Sequence, residues 1–491
     1  MIDGSRSTGG PRLPVWLIGV VSGLLYAVVA GTQRAIQRAP IIEGTAPALQ
    51  TGLYLMATLG LFALYALLLL MCRKGAFGTR RARIFAFSFP VLFNVLYVFV
   101  PPSLSIDLLS YISHGYIRAS LNGNPYLDPS SIVAHTPIGT ELLHYGWRPI
   151  HPVSPYGPIW THVETTIAQV FDGVRAQLIC LKAVLVVSSL GSALLIWQIL
   201  GRVRPQRQLL GTLAFLWNPM IIVELAGEGH NDALMVFFVV LALLFTIEGR
   251  GSLGLVAMSL GVLVKYLPLL LVPSQVVYLW RTRRGTLAFA TQVASGAATA
   301  ALVAAALFAP LWVGADTLTG VWLSGRPGQT GSTQTMLIEA LSWLLPPSAA
   351  EPLVYVLLVA GFAAFIWIRA SSITDADSLL RSCASVALVY VLLVSPSLWP
   401  WYWVMPVALM ALVPTDLFLA LLFAVSAGSR LVAPLDLLFV HEVIGRRMFL
   451  LATWTGAIGL PLVVLSVWLV KRSRTARELD PERSTPSAPP R

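Results

Sequence analysis

The sequence predicts an all-α polytopic membrane protein: a bundle of about 12–14 transmembrane helices with one re-entrant hairpin and a large polar loop outside the bilayer. Three observations lead there. Of 491 residues, 56% are hydrophobic and 11% charged. A soluble domain carries about 25% charge, so this chain cannot cover a water-facing surface. Apolar runs long enough to cross a hydrocarbon core of about 30 Å recur along it. Between them, Lys and Arg gather in short loops that fall on one side, as orientation signals do.

The runs follow in order as 13–31, 52–72, 84–101, 178–200, 209–226, 233–248, 286–313, 351–369, 379–395, 403–414, 416–432 and 449–470. The first lacks the Ala-x-Ala site of a signal peptide and is long enough to span, so it is kept as a helix. Gly 38 and Pro 33 suit bundled transmembrane helices, where neighbours re-satisfy freed backbone groups. Segment 251–280 differs. Its apolar halves, 253–264 and 267–279, are split by Lys265-Tyr266-Leu267-Pro268. Two half-helices meeting at a polar turn predict a hairpin packed against protein. Residues 13–473 then form one transmembrane domain, flanked by a cytoplasmic N-terminus (1–12) and a charged, Pro/Ser-rich cytoplasmic tail (474–491) expected to be disordered.

Arg73, Lys74, Arg80, Arg81 and Arg83 follow the second span, and Arg202, Arg204 and Arg207 follow the fourth. Arg281, Arg283 and Arg284 follow the hairpin, and Lys471, Arg472 and Arg474 the last span. If the hairpin returns to its own side, all lie on one face, the cytoplasmic one. The loops 102–177, 228–232, 314–350 and 399–403 then gather on the opposite face. These orientation loops account for the net charge of +11, and no basic domain remains to bind nucleic acid. Cys72, Cys180 and Cys383 show neither a disulfide framework nor zinc spacing. No cofactor or metal is expected. His135, His144 and His151 contain no i,i+4 pair, and the one Asp-x-Asp, Asp375-Ala376-Asp377, falls in a loop assigned to the cytoplasm.

Polar chemistry concentrates on the other face. Asp107 follows a Pro-Pro break and precedes a helix expected over 108–121, closed by Asn122-Gly123. It is that helix's N-cap, a working carboxylate at a membrane boundary, or both. Tyr111, His114 and Arg118 follow at helical steps, a stripe that lines a cleft or faces solvent. Asn124-Pro125-Tyr126 and Ser154-Pro155-Tyr156-Gly157-Pro158 are turn signals. Ile159, Val163, Ile167, Val170, Phe171 and Val174 form the apolar stripe of a surface-lying amphipathic helix.

Glu224, Glu228, His230, Asn231 and Asp232 stand where a span leaves the membrane. They cap the next helix or present acceptors to a hydroxyl-rich ligand. Lys265, inside an apolar run, snorkels to an interface or meets an anion. Arg326, in Gly325-Arg326-Pro327-Gly328, offers a guanidinium and loop N–H groups to an anion. Trp399, Trp401 and Tyr402 are an interface belt or a sugar-stacking platform. His441, Glu442, Arg446 and Arg447 are assigned only a polar interface.

Asp107-Leu108-Leu109-Ser110-Tyr111, Gly115, Asn122-Gly123-Asn124-Pro125-Tyr126, Ser154-Pro155-Tyr156-Gly157-Pro158 and Gly229-His230-Asn231-Asp232-Ala233 together carry a resemblance. The chain resembles the GT-C glycosyltransferases that use polyprenyl-phosphate sugars. Among them it looks most like the polyprenol-phosphomannose-dependent α-1,6-mannosyltransferases that extend bacterial lipomannan-type glycans. The motifs span roughly 105–235, and hydropathy extends the likeness to nearly the whole chain. Two leading helices precede the family's usual core.

The resemblance implies a multi-pass enzyme of the bacterial plasma membrane with an extracytoplasmic active site. Its donor would be polyprenyl phosphate mannose and its acceptor a lipid-anchored mannan or oligosaccharide. Asp107 matches the family's acidic residue of the first large outer loop and is expected to be the general base. Tyr111, His114, Asn124, Tyr126, Tyr156, Glu228, His230, Asn231, Asp232, Trp399, Trp401 and Tyr402 are expected as substrate contacts, and Lys265 and Arg326 as contacts to the donor phosphate. An arabinosyl or glucosyl carrier is the alternative donor. A transporter or lipid flippase, with charges near the midplane and broken helices in two related halves, is the alternative class.

Overall fold

A computed structural model describes residues 14–38, 47–150, 153–283, 287–326, 330–440 and 442–479. Residues 1–12, His151, Pro327-Gly328, Arg284, His441 and the tail beyond Leu479 lie outside the described residues. Three apolar helices open the chain and pack together: α1 (Val15–Arg38), α2 (Ala48–Arg73) and α3 (Arg80–Val98). Thr79 Oγ1 starts α3 by accepting from the Ala82 N–H (3.2 Å), the usual work of a Thr N-cap. Pro90 lies inside α3, and the Asn94 amide takes up its carbonyl (2.8 Å).

The long loop after α3 carries α4 (Asp107–Ala119), α5 (Pro137–His144) and α6 (Pro158–Val170). Helix α4 begins at Asp107 itself, and Ile106 holds the cap position, so the Asp107 side chain is released from capping. The expected extension to residue 121 stops at Ala119, and Asn122 takes a positive φ of 54° in the closing turn. Helix α6 does not divide into the apolar and polar faces expected of a surface-lying helix. Its polar residues Thr161, Glu164 and Thr165 are buried while Thr166 and Gln169 are exposed, and of the expected apolar stripe Ile167 and Val174 are buried, Ile159 and Val163 half-buried, and Val170 and Phe171 exposed.

Helix α7 (Val174–Val203) is about 45 Å long by its 30 residues. The next run is bent by 44° between α8 (Gln208–Leu216) and α9 (Pro219–Glu228). Asn218 Oδ1 caps α9 through the Met220 N–H (2.9 Å). From Ile222 onward the coil widens into a π-helix, a form that recurs at functional sites. Helices α10 (Asp232–Ile247), α11 (Gly251–Val264) and α12 (Val272–Thr282) follow. Between α11 and α12 the backbone breaks at Lys265 and makes a 3₁₀ turn, Leu267–Leu271. The Arg283 guanidinium donates to Gly249 O (3.4 Å), so this pair begins and ends at one face, as the sequence predicts.

The rest comprises α13 (Leu287–Phe308), α14 (Thr319–Ser324), α15 (Thr333–Leu341), α16 (Pro347–Ser371), α17 (Ala376–Val389), α18 (Val404–Ala411), α19 (Asp416–Val432), α20 (Pro434–Val440), α21 (Arg446–Trp454) and α22 (Leu460–Leu479). Helix α22 continues through 474–479, six residues expected to belong to the disordered tail; Arg, Ala, Glu and Leu there are strong helix formers.

Among the described residues, no strand occurs, and nine helices are long and apolar enough to cross a membrane, or ten with the bent pair as one. The chain is an all-α polytopic membrane protein. Three further apolar runs form shorter helices, α10, α11 and α18. All eight residues of α18 are buried, whereas α13 buries only Gly296. Hydropathy does not separate burial in protein from burial in lipid. Cross-ties fix the ends of the bundle. Arg73 pairs with Asp416 (2.8 Å) and Arg202 with Glu248 (2.6 Å), Arg204 pairs with Asp377, and Arg281 donates to Ser371 O (3.2 Å). The basic loops therefore share one end, and the loops bearing Asp107, His230, Lys265 and Trp401 share the other.

Candidate active site

The segment entering α4 is gripped by a buried carboxylate. Glu228 Oε2 accepts from the N–H groups of Ser103 (3.0 Å), Leu104 (3.1 Å) and Ser105 (3.1 Å), and Oε1 accepts from the Gln33 amide (3.0 Å). Ser105 Oγ then accepts from the Asp107 N–H (3.2 Å). Asp107 is placed by this clamp at the start of α4, 9% exposed. Its Oδ2 accepts from the Tyr156 hydroxyl (3.2 Å) and lies 3.5 Å from His230 Nδ1.

His230 sits between two carboxylates. Its Nε2 is 3.3 Å from Glu224 Oε2, and its ring stacks on Trp401 at 3.9 Å. Burial works against a charged ring, but Asp107 and Glu224 outweigh it and raise His230 to about 9. The string continues inward as Glu224 pairs with Arg430, which also donates to the Tyr54 hydroxyl. Two anions and two cations alternate, which meets the requirement that buried charge be paired. Tyr156 is raised above its ordinary range by burial and then by Asp107, so its hydroxyl stays protonated and donates.

Two glycines let these elements meet. A Cβ on Gly157 would lie 2.1 Å from Leu263 O, and its N–H donates to Val264 O (3.0 Å). The Tyr-Gly-Pro turn is thereby laid against the end of α11, one residue before Lys265. Gly229 has φ +79°, and a Cβ there would strike Leu108 at 2.7 Å.

A cavity of about 380 Å³ opens at this point. Asp107, Tyr156, Asp232 and Lys265 line its polar end, Trp399, Trp401, Tyr402, Tyr266 and Tyr390 its aromatic wall, and Leu267, Leu269, Leu270 and Val391 its apolar side. Lys265 Nζ donates to both oxygens of Asp232 (3.1 and 2.9 Å) and lies 5.3 Å from the centre of the Tyr402 ring. The counter-charge the sequence demands for Lys265 is thus supplied within the protein, by a carboxylate 1% exposed. An ammonium has three donors, so one remains for a ligand. Trp399 and Trp401 stack in parallel (5.3 Å, 4°), a flat surface of the kind sugars pack on.

Six of the expected contacts line the cavity: Tyr156, Asp232, Trp399, Trp401, Tyr402 and Lys265. The others are not in its lining. Tyr111 is fully buried, edge-on to Tyr156 (5.1 Å) and Trp160 (5.0 Å), and its hydroxyl accepts from the Asn231 N–H (3.5 Å). His114 is buried 3.9 Å from Glu164. Asn124 builds a turn through the Tyr126 N–H (3.1 Å) and holds Leu311 O (2.9 Å). The Tyr126 hydroxyl donates to Tyr156 O (3.0 Å). The Asn231 amide is buried with no partner among the described residues. Arg326 is exposed just beyond the cavity-lining Ser324 and Gly325 and is not itself in the lining. Of the two acids in the Asp-x-Asp, Asp375 caps α17 and Asp377 pairs with Arg204 and Arg381. Among the described residues, no three His, Cys, Asp or Glu side chains form a metal-binding group.

Arg430, Tyr266 and Tyr390 are the residues sequence reasoning misses. Arg430 had a signal, being a lone guanidinium within an apolar run, which marks a functional position by default. The two tyrosines had none.

A family model described as "Alpha-(1->6)-mannopyranosyltransferase, N-terminal domain" matches residues 15–282. A Mycobacterium tuberculosis protein named Alpha-(1->6)-mannopyranosyltransferase A is 26% identical over 333 residues, 65% of this chain and 57% of the relative. A Corynebacterium glutamicum protein of the same name is 28% identical over 173 residues, 34% of this chain and 33% of the relative. These matches thus span less than two thirds of either relative.

Proposed function

This chain belongs to the alpha-(1→6)-mannopyranosyltransferase family, and we propose that it transfers mannose from polyprenyl phosphate mannose to a hydroxyl of a lipid-anchored cell-envelope glycan, forming α-1,6 linkages on the extracytoplasmic side. The observation that carries this reading is one cavity with Asp107 and Lys265 at its polar end, indoles along one wall and leucines along another. A polar sugar phosphate on an apolar chain asks for those surfaces together.

Asp107 takes the proton from the acceptor hydroxyl as its oxygen attacks the anomeric carbon. The bond from that carbon to the phosphate oxygen breaks, and polyprenyl phosphate leaves carrying the electron pair. A single displacement inverts a β-linked donor to an α product. Lys265 meets the growing charge on the phosphate, while Asp232 holds the ammonium in place. Arg326 stands close enough in sequence to the lining to serve as a second cation once donor is bound. Trp399 and Trp401 stack against sugar faces, and Tyr156 and His230 fix the attitude of Asp107.

Membranes bearing the protein, given radiolabelled polyprenyl phosphate mannose and a short α-1,6-mannoside, are expected to extend the mannoside by one α-1,6 residue. Transfer from an arabinosyl or glucosyl carrier with none from the mannosyl donor would overturn the substrate assignment. Movement of labelled lipid across the bilayer without glycoside formation would overturn the enzyme reading.

A further inference from the structure

A second cavity lies away from Asp107. It measures about 510 Å³ and is formed where the outer ends of α1 and α3, the start of α7 and the end of α5 converge. Arg34 and Arg38 from α1 and Arg175 from α7 line it, with His144 from α5. The three arginines are exposed, and none has an ion-pair partner among the described residues. Of the carboxylates nearby in the fold, Glu141 accepts from the Val174 N–H (3.1 Å) and Glu228 clamps residues 103–105, while Asp172, exposed three residues before Arg175, makes no ion pair with it. This is the end of the bundle opposite the basic loops, where Lys and Arg are disfavoured. Three guanidinium groups from two helices facing one hollow there offer a site to an anion.

The rest of the lining says what kind. Phe99 (62% exposed) and Leu143 (45% exposed) flank the arginines. Below Phe99, Ile84, Phe87, Ser88, Val91, Leu92 and Val95 form a shallow apolar groove at steps of three and four along α3. From Ile84 to Val95 the groove runs about 16 Å, about half the depth of a hydrocarbon core, and Phe99 stands one turn beyond Val95. A cationic hollow at the interface above an apolar groove matches a phosphate headgroup with its acyl chain.

We propose that Arg34, Arg38 and Arg175 hold the phosphate of an anionic membrane lipid whose acyl chain lies along α3. The site is independent of the donor cavity and rests only on the membrane placement of the chain. It is coupled to the catalytic face, because Val98, Phe99, Val100 and Pro101 line it and the chain reaches Asp107 six residues after Pro101.

The test is native mass spectrometry of the detergent-solubilised full chain with phosphatidylglycerol or phosphatidylcholine added. The wild type is expected to retain phosphatidylglycerol on the order of tenfold or more over phosphatidylcholine, as three interfacial arginines predict. Arg34→Gln/Arg38→Gln/Arg175→Gln loses that preference. The corresponding triple Lys variant keeps most of it, and Arg80→Gln/Arg81→Gln/Arg83→Gln, at the other end, keeps it fully. Should the triple Gln variant aggregate on gel filtration, the single variants carry the same reading, each with a several-fold loss. Equal retention of both lipids by the wild type, or undiminished phosphatidylglycerol in the Gln variants, overturns the proposal. Displacement of the lipid by millimolar inorganic phosphate also overturns it, since the site would then serve a soluble anion.

Discussion

Replacing Asp107 by Asn removes the proposed proton acceptor while keeping its shape. The amide oxygen can still accept from the Tyr156 hydroxyl, which sits 3.2 Å from Oδ2. The contact at 3.5 Å with His230 changes character, because an amide no longer balances the ring's charge. Lys265, Tyr402 and the parallel Trp399–Trp401 pair lie outside the substituted group and keep their places around the donor. General-base catalysis contributes about 10²- to 10⁴-fold, so kcat should fall by roughly a thousandfold, near 4 kcal/mol at 1.36 kcal/mol per decade. Donor affinity should change less than about threefold, on the order of 0.7 kcal/mol. Single-turnover transfer from labelled donor gives the first quantity. Equilibrium binding of donor, read by quenching of tryptophan fluorescence, gives the second. A variant whose kcat stays within about tenfold of wild type retains too much to have lost a general base. One that loses donor binding in proportion to turnover shows Asp107 to be a structural support. Either result refutes the proposed chemistry.

Three further outcomes follow from neighbouring contacts. His230, raised to about 9 from an ordinary 6.5, contributes stability that is complete below about pH 6.5 and is lost as pH climbs through about 9. Thermal midpoints and kcat/KM should therefore both fall between pH 8 and 10, and a His230→Gln variant should lack that limb; a midpoint that rises over the interval contradicts the assignment. Lys265→Gln strands a carboxylate 1% exposed and should cost on the order of 3 kcal/mol of stability. Adding Asp232→Asn should restore most of that without restoring turnover, and recovery of both on denaturation and transfer assays would remove Lys265 from the chemistry. Glu228→Gln gives up a charged acceptor of three backbone N–H bonds and should lower stability by about 3 kcal/mol and kcat by about tenfold, with donor KM little changed; a shift in KM alone would point to substrate contact.

The helical membrane class was legible because it rests on hydropathy and charge bias, which act residue by residue. The hairpin at 251–280 was legible for the same reason: a Lys-Tyr-Leu-Pro interruption leaves halves that fold back. Helix count was less legible. The run 403–414 is as apolar as a span, yet α18 buries its eight residues in protein, and composition does not record which apolar neighbour a side chain meets. At the site, polarity picked out segments that meet around the cavity but not the direction each side chain takes. Tyr111 and His114, read as a stripe beneath Asp107, turn into the α4–α6 contact rather than toward the cavity. Arg326, read as a phosphate ligand from its Gly/Pro surroundings, stands just beyond the lining. Those outcomes depend on which helix packs against which, a long-range matter that spacing along one helix does not encode.

The division of labour among the acids follows from the cost of buried charge. Glu224, Glu228 and Asp232 are each 2% exposed or less, so each is stable as an anion only with a dedicated donor set: Arg430 and His230 for the first, backbone N–H groups and Gln33 for the second, Lys265 for the third. A carboxylate so fully engaged makes a poor base, because a captured proton would have to displace a charged or hydrogen-bonded partner. Asp107 is the more exposed of the two carboxylates that line the cavity, 9% against 1% for Asp232, and it shares the charged His230 ring with Glu224. That greater exposure is what the proposed role of Asp107 as proton acceptor draws on, whereas the other three acids serve as supports. The π-helical widening of α9 belongs to this arrangement, since Glu224 and Glu228 both lie within it and serve the two ends of the Asp107 setting, His230 on one side and the 103–105 segment on the other.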